Sequence, residues 1–391
     1  MHENTIFQLV LMAAKQTPKK NSIEESNTID PLITQRRQAF IDWIEACLPA
    51  SHQVDLPLLP QPLAGDAGFR RYFRLPGQPS LIAVDSPPEK ENNLAYIEVA
   101  MAFQRHRVVT PKIFAVDFAN GFLLLEDFGH QLLHPELLAG TLAEDDSPAR
   151  LSAANYYQQA ESVLLDIQAV QPRSSVFSDY DRQRLQLEMD LFADWFLGQL
   201  LGIELDPQER GILGQLFDRL IENAVQQPQV VVHRDYHSRN LMLLEDGSLG
   251  VIDFQDAVIG PITYDLVSLL KDCYLRLPKE QVVRRALDYK KRLEADLSMA
   301  AVSDDQFLYW FDLIGLQRHI KVLGIFARLS LRDGKQAYLQ DLPLVIRYAL
   351  EAAQGFDEGR VFYAWFIERI EPLLPSQDWY SGWRTAGDNH Q

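Results

Sequence analysis

The chain has 391 residues, 47% hydrophobic and 23% charged, an ordinary globular composition too long for one small core and suited to two lobes or domains. Its 54 acidic and 37 basic residues give a formal charge of −17, which argues against nucleic acid or an anionic membrane as a general partner but leaves room for a local anion site. The two cysteines, Cys47 and Cys273, have no ligand spacing around them, so neither a zinc site nor a disulfide framework is expected.

In chain order, the apolar run Ile6 to Ala14 is too short to span a bilayer and lacks the basic lead of a signal peptide. Gln16 to Asp30 is polar, so residues 1–30 read as a flexible extension. From Pro31, apolar residues at helical spacing (Phe40, Ile41, Trp43, Ile44, Leu48) predict an amphipathic helix ending before Pro49. A strand-rich region follows, in which Phe69 to Leu75 alternates and Leu81 to Val84 continues. The turn Gly65-Asp66-Ala67-Gly68 could lay backbone N–H groups over a phosphate, or could close a plain hairpin. Asn92 to His106 has the next helical pattern, after which Pro111 to Val116 and Gly121 to Glu126 read as strands. The second of these empties into Glu126-Asp127-Phe128-Gly129, either a hinge whose backbone pairs with a nucleotide base or the turn after a buried strand.

Beyond residue 130 the pattern turns helical: Ala149 to Val170, Asp181 to Leu201 and Pro207 to Val225, then Lys279 to Met299, Asp304 to Ser330, Asp341 to Gln354 and Arg360 to Leu374. Between these groups lies VVVHRDYHSRNLMLLEDGSLGVIDFQD, residues 230–256. Two short apolar runs there end in polar groups, the first in His233-Arg234-Asp235 with Asn240 five residues after Asp235, the second in Asp253. An H-R-D-x-x-x-x-N spacing followed by a second strand ending in Asp-Phe matches the signature of phosphoryl transfer. In that chemistry one carboxylate, here Asp235, orients the nucleophile, while an amide and a second carboxylate, here Asn240 and Asp253, hold Mg²⁺ between nucleotide phosphates. Asp265, in the following GPITYDLVSLL, is placed to start or brace a helix. The expected architecture is α+β: a small antiparallel sheet lobe over residues 31–128 and a large helical lobe over 129–391 that carries the catalytic strands.

HRDYHSRN followed by VIDFQDAVIGPITYDLVSLL resembles the aminoglycoside phosphotransferase and choline kinase superfamily, which has a protein-kinase-like fold. Within it, GDAGFRRYFRL, DFQDAVIGPITYD and LQRHIKVLGIFARLSLRDGK resemble the bacterial anomeric kinases of N-acetylmuramate and N-acetylglucosamine. The resemblance implies a cytoplasmic ATP- and Mg²⁺-dependent sugar kinase of peptidoglycan recycling, with a small amino sugar as its partner. It implies Asp235 as the catalytic residue, Asn240 and Asp253 as metal ligands, Gly65 and Gly68 over the triphosphate, Glu126, Asp127 and Phe128 as the adenine hinge, and Asp265 as a brace for the catalytic loop. Asp85 stands where kinases of this fold usually carry a phosphate-binding Lys or Arg, so either the alignment slips there or the cation comes from elsewhere. Arg70 and Arg74, which share one face of a strand, are preferred over Arg71 on the other. Arg318 and Lys321, at i and i+3 in an apolar helical tract, are candidates for the substrate's lactyl carboxylate, with His237 for sugar hydroxyls. Phosphorylation of an aminoglycoside is the alternative activity. A nucleotide-binding pseudokinase, supported by Asp85 alone, is the alternative of another class.

Overall fold

The computed structural model describes residues 31–53, 58–63, 69–144, 146–297 and 299–388. The extension at residues 1–30 and the Gly65 to Gly68 turn lie outside these. The chain divides into two units after Ala46. The described part of the first lies in the helix α1, Pro31–Cys47, which stops two residues before Pro49 as its sequence predicts.

The second unit opens with a five-stranded antiparallel sheet in the order β1-β2-β3-β5-β4, built from β1 (Gln61–Pro62), β2 (Arg71–Leu75), β3 (Leu81–Asp85), β4 (Ile113–Asp117) and β5 (Phe122–Glu126). Every residue of β3 is buried, as befits an unalternating apolar strand at the centre of a sheet. Helix α2, Asn93–Arg105, starts where the Asn92 side chain accepts from the Ala95 amide at 3.1 Å. Its buried face carries Tyr96, Val99, Ala100 and Phe103, the i, i+3, i+4, i+7 pattern of an amphipathic helix.

The helical body begins with α3, Leu133–Leu142, a helix that Pro135 and Gly140 do not announce; Pro135 sits in the first turn, where a missing N–H costs little. It continues through α4 (Pro148–Gln168), α5 (Arg182–Leu191) and α6 (Pro207–Gln226), the last opened by an Asp206/Glu209 capping box. The tract expected to be one helix to Leu201 instead widens into π turns over Phe192–Leu200. Inserted next is the loop-bearing segment. In it β7 (Gln229–Val232) and β10 (Val258–Pro261) pair antiparallel, with the two-residue β6 (Ser178–Asp179) on the other edge of β10, and β8 (Leu241–Leu243) and β9 (Leu249–Val251) form a hairpin. The short helix α7, Tyr264–Leu270, is buried along its whole length.

After α8 (Lys279–Asp296) comes the axis of the body, α9, Asp304–Asp333, a 30-residue helix capped by Ser303 and stopped by Gly334 in the left-handed region. It packs on α5 to α8 and on α10, Leu342–Ala353. At Gly324 it crosses the backbone of Leu191, and a Cβ there would lie 2.3 Å from the Leu191 carbonyl carbon, so only glycine allows the approach. The last expected helix begins earlier, as α11 (Asp357–Trp365), and Pro372 accompanies its change to a 3₁₀ turn before Leu374. Among the described residues no helix is long and apolar enough to cross a membrane.

Candidate active site

A cleft of about 670 Å³ lies between the sheet and the helical body. Arg70, Arg74, Glu126, Asp127, Phe128, Asp235, His237, Asn240, Asp253, Arg318 and Lys321 all line it. Residues from two strands, a 3₁₀ turn, the long helix α9 and the loops between them therefore converge on one cavity. Asp265 does not line the cleft but stands behind its floor, fully buried.

The catalytic segment is held from several directions. The Asp265 carboxylate accepts the amides of His233 at 2.6 Å and Arg234 at 3.0 Å. Burial pushes the Asp265 carboxyl up to about 7 in spite of those two bonds. His233 bridges the two strand ends, because its Nε2 lies 3.0 Å from the Ile252 carbonyl while the Asp235 amide donates to Nδ1 at 3.3 Å. A carbonyl only accepts, so Nε2 carries the proton and the ring is neutral; burial, which pushes His233 down to about 4, favours the same form. Further along, the Ser238 amide and hydroxyl donate to Asp272 at 3.0 and 2.6 Å, and Asn240 Nδ2 donates to the Asp235 carbonyl at 2.9 Å. Arg234 and Asp253 both adopt positive φ, 77° and 61°, a conformation that costs energy for residues with a Cβ and that clusters at functional sites.

That turn sends Arg234 inward while Asp235 faces the cleft. Arg234 pairs with Glu188 of α5, which also holds Lys321 Nζ at 3.2 Å and accepts from the Tyr180 hydroxyl. Lys321 Nζ further donates to the Tyr264 hydroxyl at 3.1 Å. Arg318, 3% exposed, donates to the Cys273 sulfur at 3.2 Å. Burial alone would raise the Asp235 carboxyl, but the charges of Lys321, Arg234, His237 and Arg318 outweigh it and hold Asp235 well below the usual carboxylate range. The basic residues of α9 are thus an interior counter-charge to the Asp235 carboxylate and not a solvated face.

The three arginines at β2 separate. Arg70, Tyr72 and Arg74 all point into the cleft, as strand alternation requires, whereas Arg71 leaves it to pair with Asp85 across the β2–β3 ladder. Asp85 is 3% exposed and does not line the cleft, so its acid replaces the expected lysine without facing a phosphate. Arg70 sits at the far end, 3.3 Å from Glu91 and over the Tyr96 ring, which in turn packs on Phe254 beside Asp253. Arg74, about 13 Å further along the strand, is taken up by the hinge. It donates from Nε at 2.6 Å and Nη2 at 2.9 Å to Asp127, and from Nη2 to the Gly129 carbonyl at 2.6 Å. Arg74 is thus held at the hinge, while Arg70 stands at the Asp253 end of the cleft. The Phe128 ring lies on β9, where a Cβ on Gly250 would come within 2.5 Å of it. Glu126 turns outward to Lys112, accepting its amide at 3.1 Å.

Residues that sequence reasoning did not single out complete the site. Glu188 gives no signal in sequence, being one acid in a helix otherwise mixed in polarity. Arg239, Tyr274, Phe326 and Tyr338 also line the cleft, and only Arg239, between Asp235 and Asn240 in sequence, was placed by spacing where it could have been noticed.

An antiparallel sheet over a helical body, with Asp, Asn and Asp meeting in the cleft between them, defines the protein-kinase-like class of phosphotransferase. Within that class, this chain belongs to the phosphotransferase enzyme family, whose model matches residues 60–301. It is similar to the N-acetylmuramate/N-acetylglucosamine kinase of Pseudomonas aeruginosa, 40% identical over 326 residues that cover 81% of this chain and 92% of that protein. The enzyme of the same name from Neisseria meningitidis is 35% identical over 338 residues, covering 86% and 96%. Among solved structures, the Plasmodium vivax ethanolamine kinase matches with a TM-score of 0.57 at 11% identity, over 89% of this chain and 95% of that one. A spectinomycin phosphotransferase in complex with ADP and spectinomycin matches with a TM-score of 0.51 at 12% identity, over 85% and 98%. At such identities the likeness is one of fold.

Proposed function

We propose that the chain transfers the γ-phosphoryl group of ATP to the anomeric hydroxyl of N-acetylmuramate and N-acetylglucosamine. The observation that carries the reading is the meeting of Asp235, Asn240 and Asp253 in one cleft whose acceptor side is cationic, together with the names of relatives that match over most of the chain. The cations Arg318 and Lys321 speak against an aminoglycoside, a polycation that would need acids in their place. Arg70 in the cleft, with Asp85 turned away, removes the one feature that favoured a pseudokinase.

In this reading the sheet lobe holds the nucleotide, with its base at the Glu126 to Phe128 backbone and its phosphates towards Arg70. Asp235 accepts a hydrogen bond from the sugar hydroxyl and orients it. Its depressed proton affinity makes it a weak base, which suits a loose transition state in which the proton leaves late. The sugar oxygen forms its bond to the γ-phosphorus as the bond to the bridging oxygen breaks; ADP departs, and the proton passes through Asp235 to solvent. Asn240, its amide nitrogen committed to the Asp235 carbonyl, and Asp253 offer oxygen donors. Among the described residues no group of three His, Cys, Asp or Glu side chains is placed to hold a metal. Two oxygen ligands fit Mg²⁺, which keeps waters and phosphates in its shell, and would not make a zinc site. When bound, Mg²⁺ neutralises charge that develops on the phosphates. Asp265 braces the loop through its two backbone hydrogen bonds, and His237 lies beside Asp235 for a sugar hydroxyl.

Asp235→Asn tests the assignment. With either sugar, Mg²⁺ and ATP, ADP release should fall ~10²–10⁴-fold while ADP binding by calorimetry is retained. Near-wild-type turnover removes Asp235 from the chemistry. Turnover of an aminoglycoside but of neither sugar by the unmodified protein removes the substrate assignment.

A further inference from the structure

We infer that Arg239 is the receptor for a carboxylate on the acceptor sugar, and so the residue that separates N-acetylmuramate from its neutral counterpart. The inference rests on the sugar-kinase reading above and adds to it a specificity device.

Three cations line the acceptor side of the cleft, and two are already committed. Lys321 is 4% exposed, lies 3.2 Å from Glu188 and donates to Tyr264. Arg318 is 3% exposed and bonded to Cys273, and its charge acts on Asp235. A substrate carboxylate bound there would share a poorly solvated site with the Asp235 carboxylate, and like charges in such a site oppose each other strongly. It would also occupy the place that the reacting hydroxyl needs.

Arg239 differs on each count. It is half-buried, so a hydrated carboxylate can reach it. Among the described residues it makes no salt bridge within 4 Å, and Asp341 feels its charge only from beyond that distance. Its guanidinium carbon lies 3.4 Å from the centroid of the Tyr274 ring. A guanidinium stacked in this way is fixed by its face and keeps its N–H edge for a bidentate carboxylate. The support is rigid: Arg239 belongs to the 3₁₀ turn Ser238–Asn240, which Asp272 anchors through Ser238, between the catalytic carboxylate and a proposed metal ligand. Tyr274 also carries the His237 ring on its edge at 5.4 Å and stacks with Phe326 at 6.1 Å, so one aromatic wall joins the hydroxyl-facing and carboxylate-facing groups.

The test uses the full chain, ATP, Mg²⁺ and three acceptors: N-acetylmuramate, its methyl ester and N-acetylglucosamine. Loss of a charge-assisted bidentate contact should lower the ratio of kcat/KM for N-acetylmuramate over N-acetylglucosamine roughly 10–100-fold in Arg239→Met. The change should be carried by KM, with part of it restored in Arg239→Lys. The unmodified protein should prefer the acid to the methyl ester, and Arg239→Met should not. A loss of equal size with all three acceptors, or an unchanged ratio, overturns the assignment. Failure of the unmodified protein to phosphorylate any of the three is a separate result, which overturns the sugar-kinase reading itself.

Discussion

Glu188→Gln keeps the size of a side chain on which two buried cations depend. Glu188 is 12% exposed, Lys321 5% and Arg234 17%, so little water can replace the lost charge. Removing one partner of a buried pair costs about 3–5 kcal/mol, because the other charge is left uncompensated. The glutamine oxygen can still accept from Lys321 or Tyr180, which places the expected loss near 3 kcal/mol. Against a whole-protein stability of about 5–15 kcal/mol, that is a large share. Lys321→Met in the same chain removes one orphaned cation, so the double variant should recover about 1–3 kcal/mol relative to additivity. Urea unfolding followed by fluorescence of the six tryptophans measures both quantities. The sign with pH is also determined. Burial opposes ionisation of Glu188, but Lys321 and Arg234 outweigh it and lower its pKa below the ordinary 4.5. The stabilisation is therefore present above pH 4.5 and fades as the pH falls below it, where wild type and variant should converge. A Glu188→Gln loss under 1 kcal/mol at pH 7, or strict additivity with Lys321→Met, would refute the claim that this carboxylate organises the basic cluster.

Two further outcomes follow from the same geometry. His233 is neutral in the fold and pushed down to about 4 from 6.5, so its own contribution to stability is full above pH 6.5, declines as the pH falls towards 4 and then levels, by up to about 3 kcal/mol. His319, pushed down to about 3 by burial, adds a leg of the same sign, and His233→Gln should remove the His233 leg alone; an unchanged pH profile would remove His233 from it. Arg70→Met should raise KM for ATP about tenfold or more, since a charge-assisted contact to phosphate is lost at the Asp253 end of the cleft. An unaltered KM would return the search for the phosphate cation to the residues around Gly65 and Gly68.

The catalytic outline was written in local sequence. Asp235, Asn240 and Asp253 stand at fixed spacings after short apolar strands, and strand ends deliver their next side chains to one place wherever those strands pair. Strand alternation likewise put Arg70 and Arg74 on one face and Arg71 on the other. Helices with a plain apolar period were legible too, with ends displaced by a few residues where capping and not periodicity decides the boundary.

Tertiary structure alone decided what the charges do. Sequence treats Arg318 and Lys321 as a face of a helix, but burial of nearly all of that helix from Gln317 to Leu323 turns them into the field around Asp235. Nothing local links them to Glu188, which lies about 130 positions away in the chain, or Arg74 to Asp127, because an ion pair depends on distance in space and on exclusion of water. Periodicity could not foresee the π turns after Leu191 either, since they form where Gly324 lets another helix approach that backbone. The order of residues placed the groups that suit phosphoryl transfer, and packing decided which cations pair with acids, which set the proton affinity of Asp235 and which stays half-exposed in the cleft.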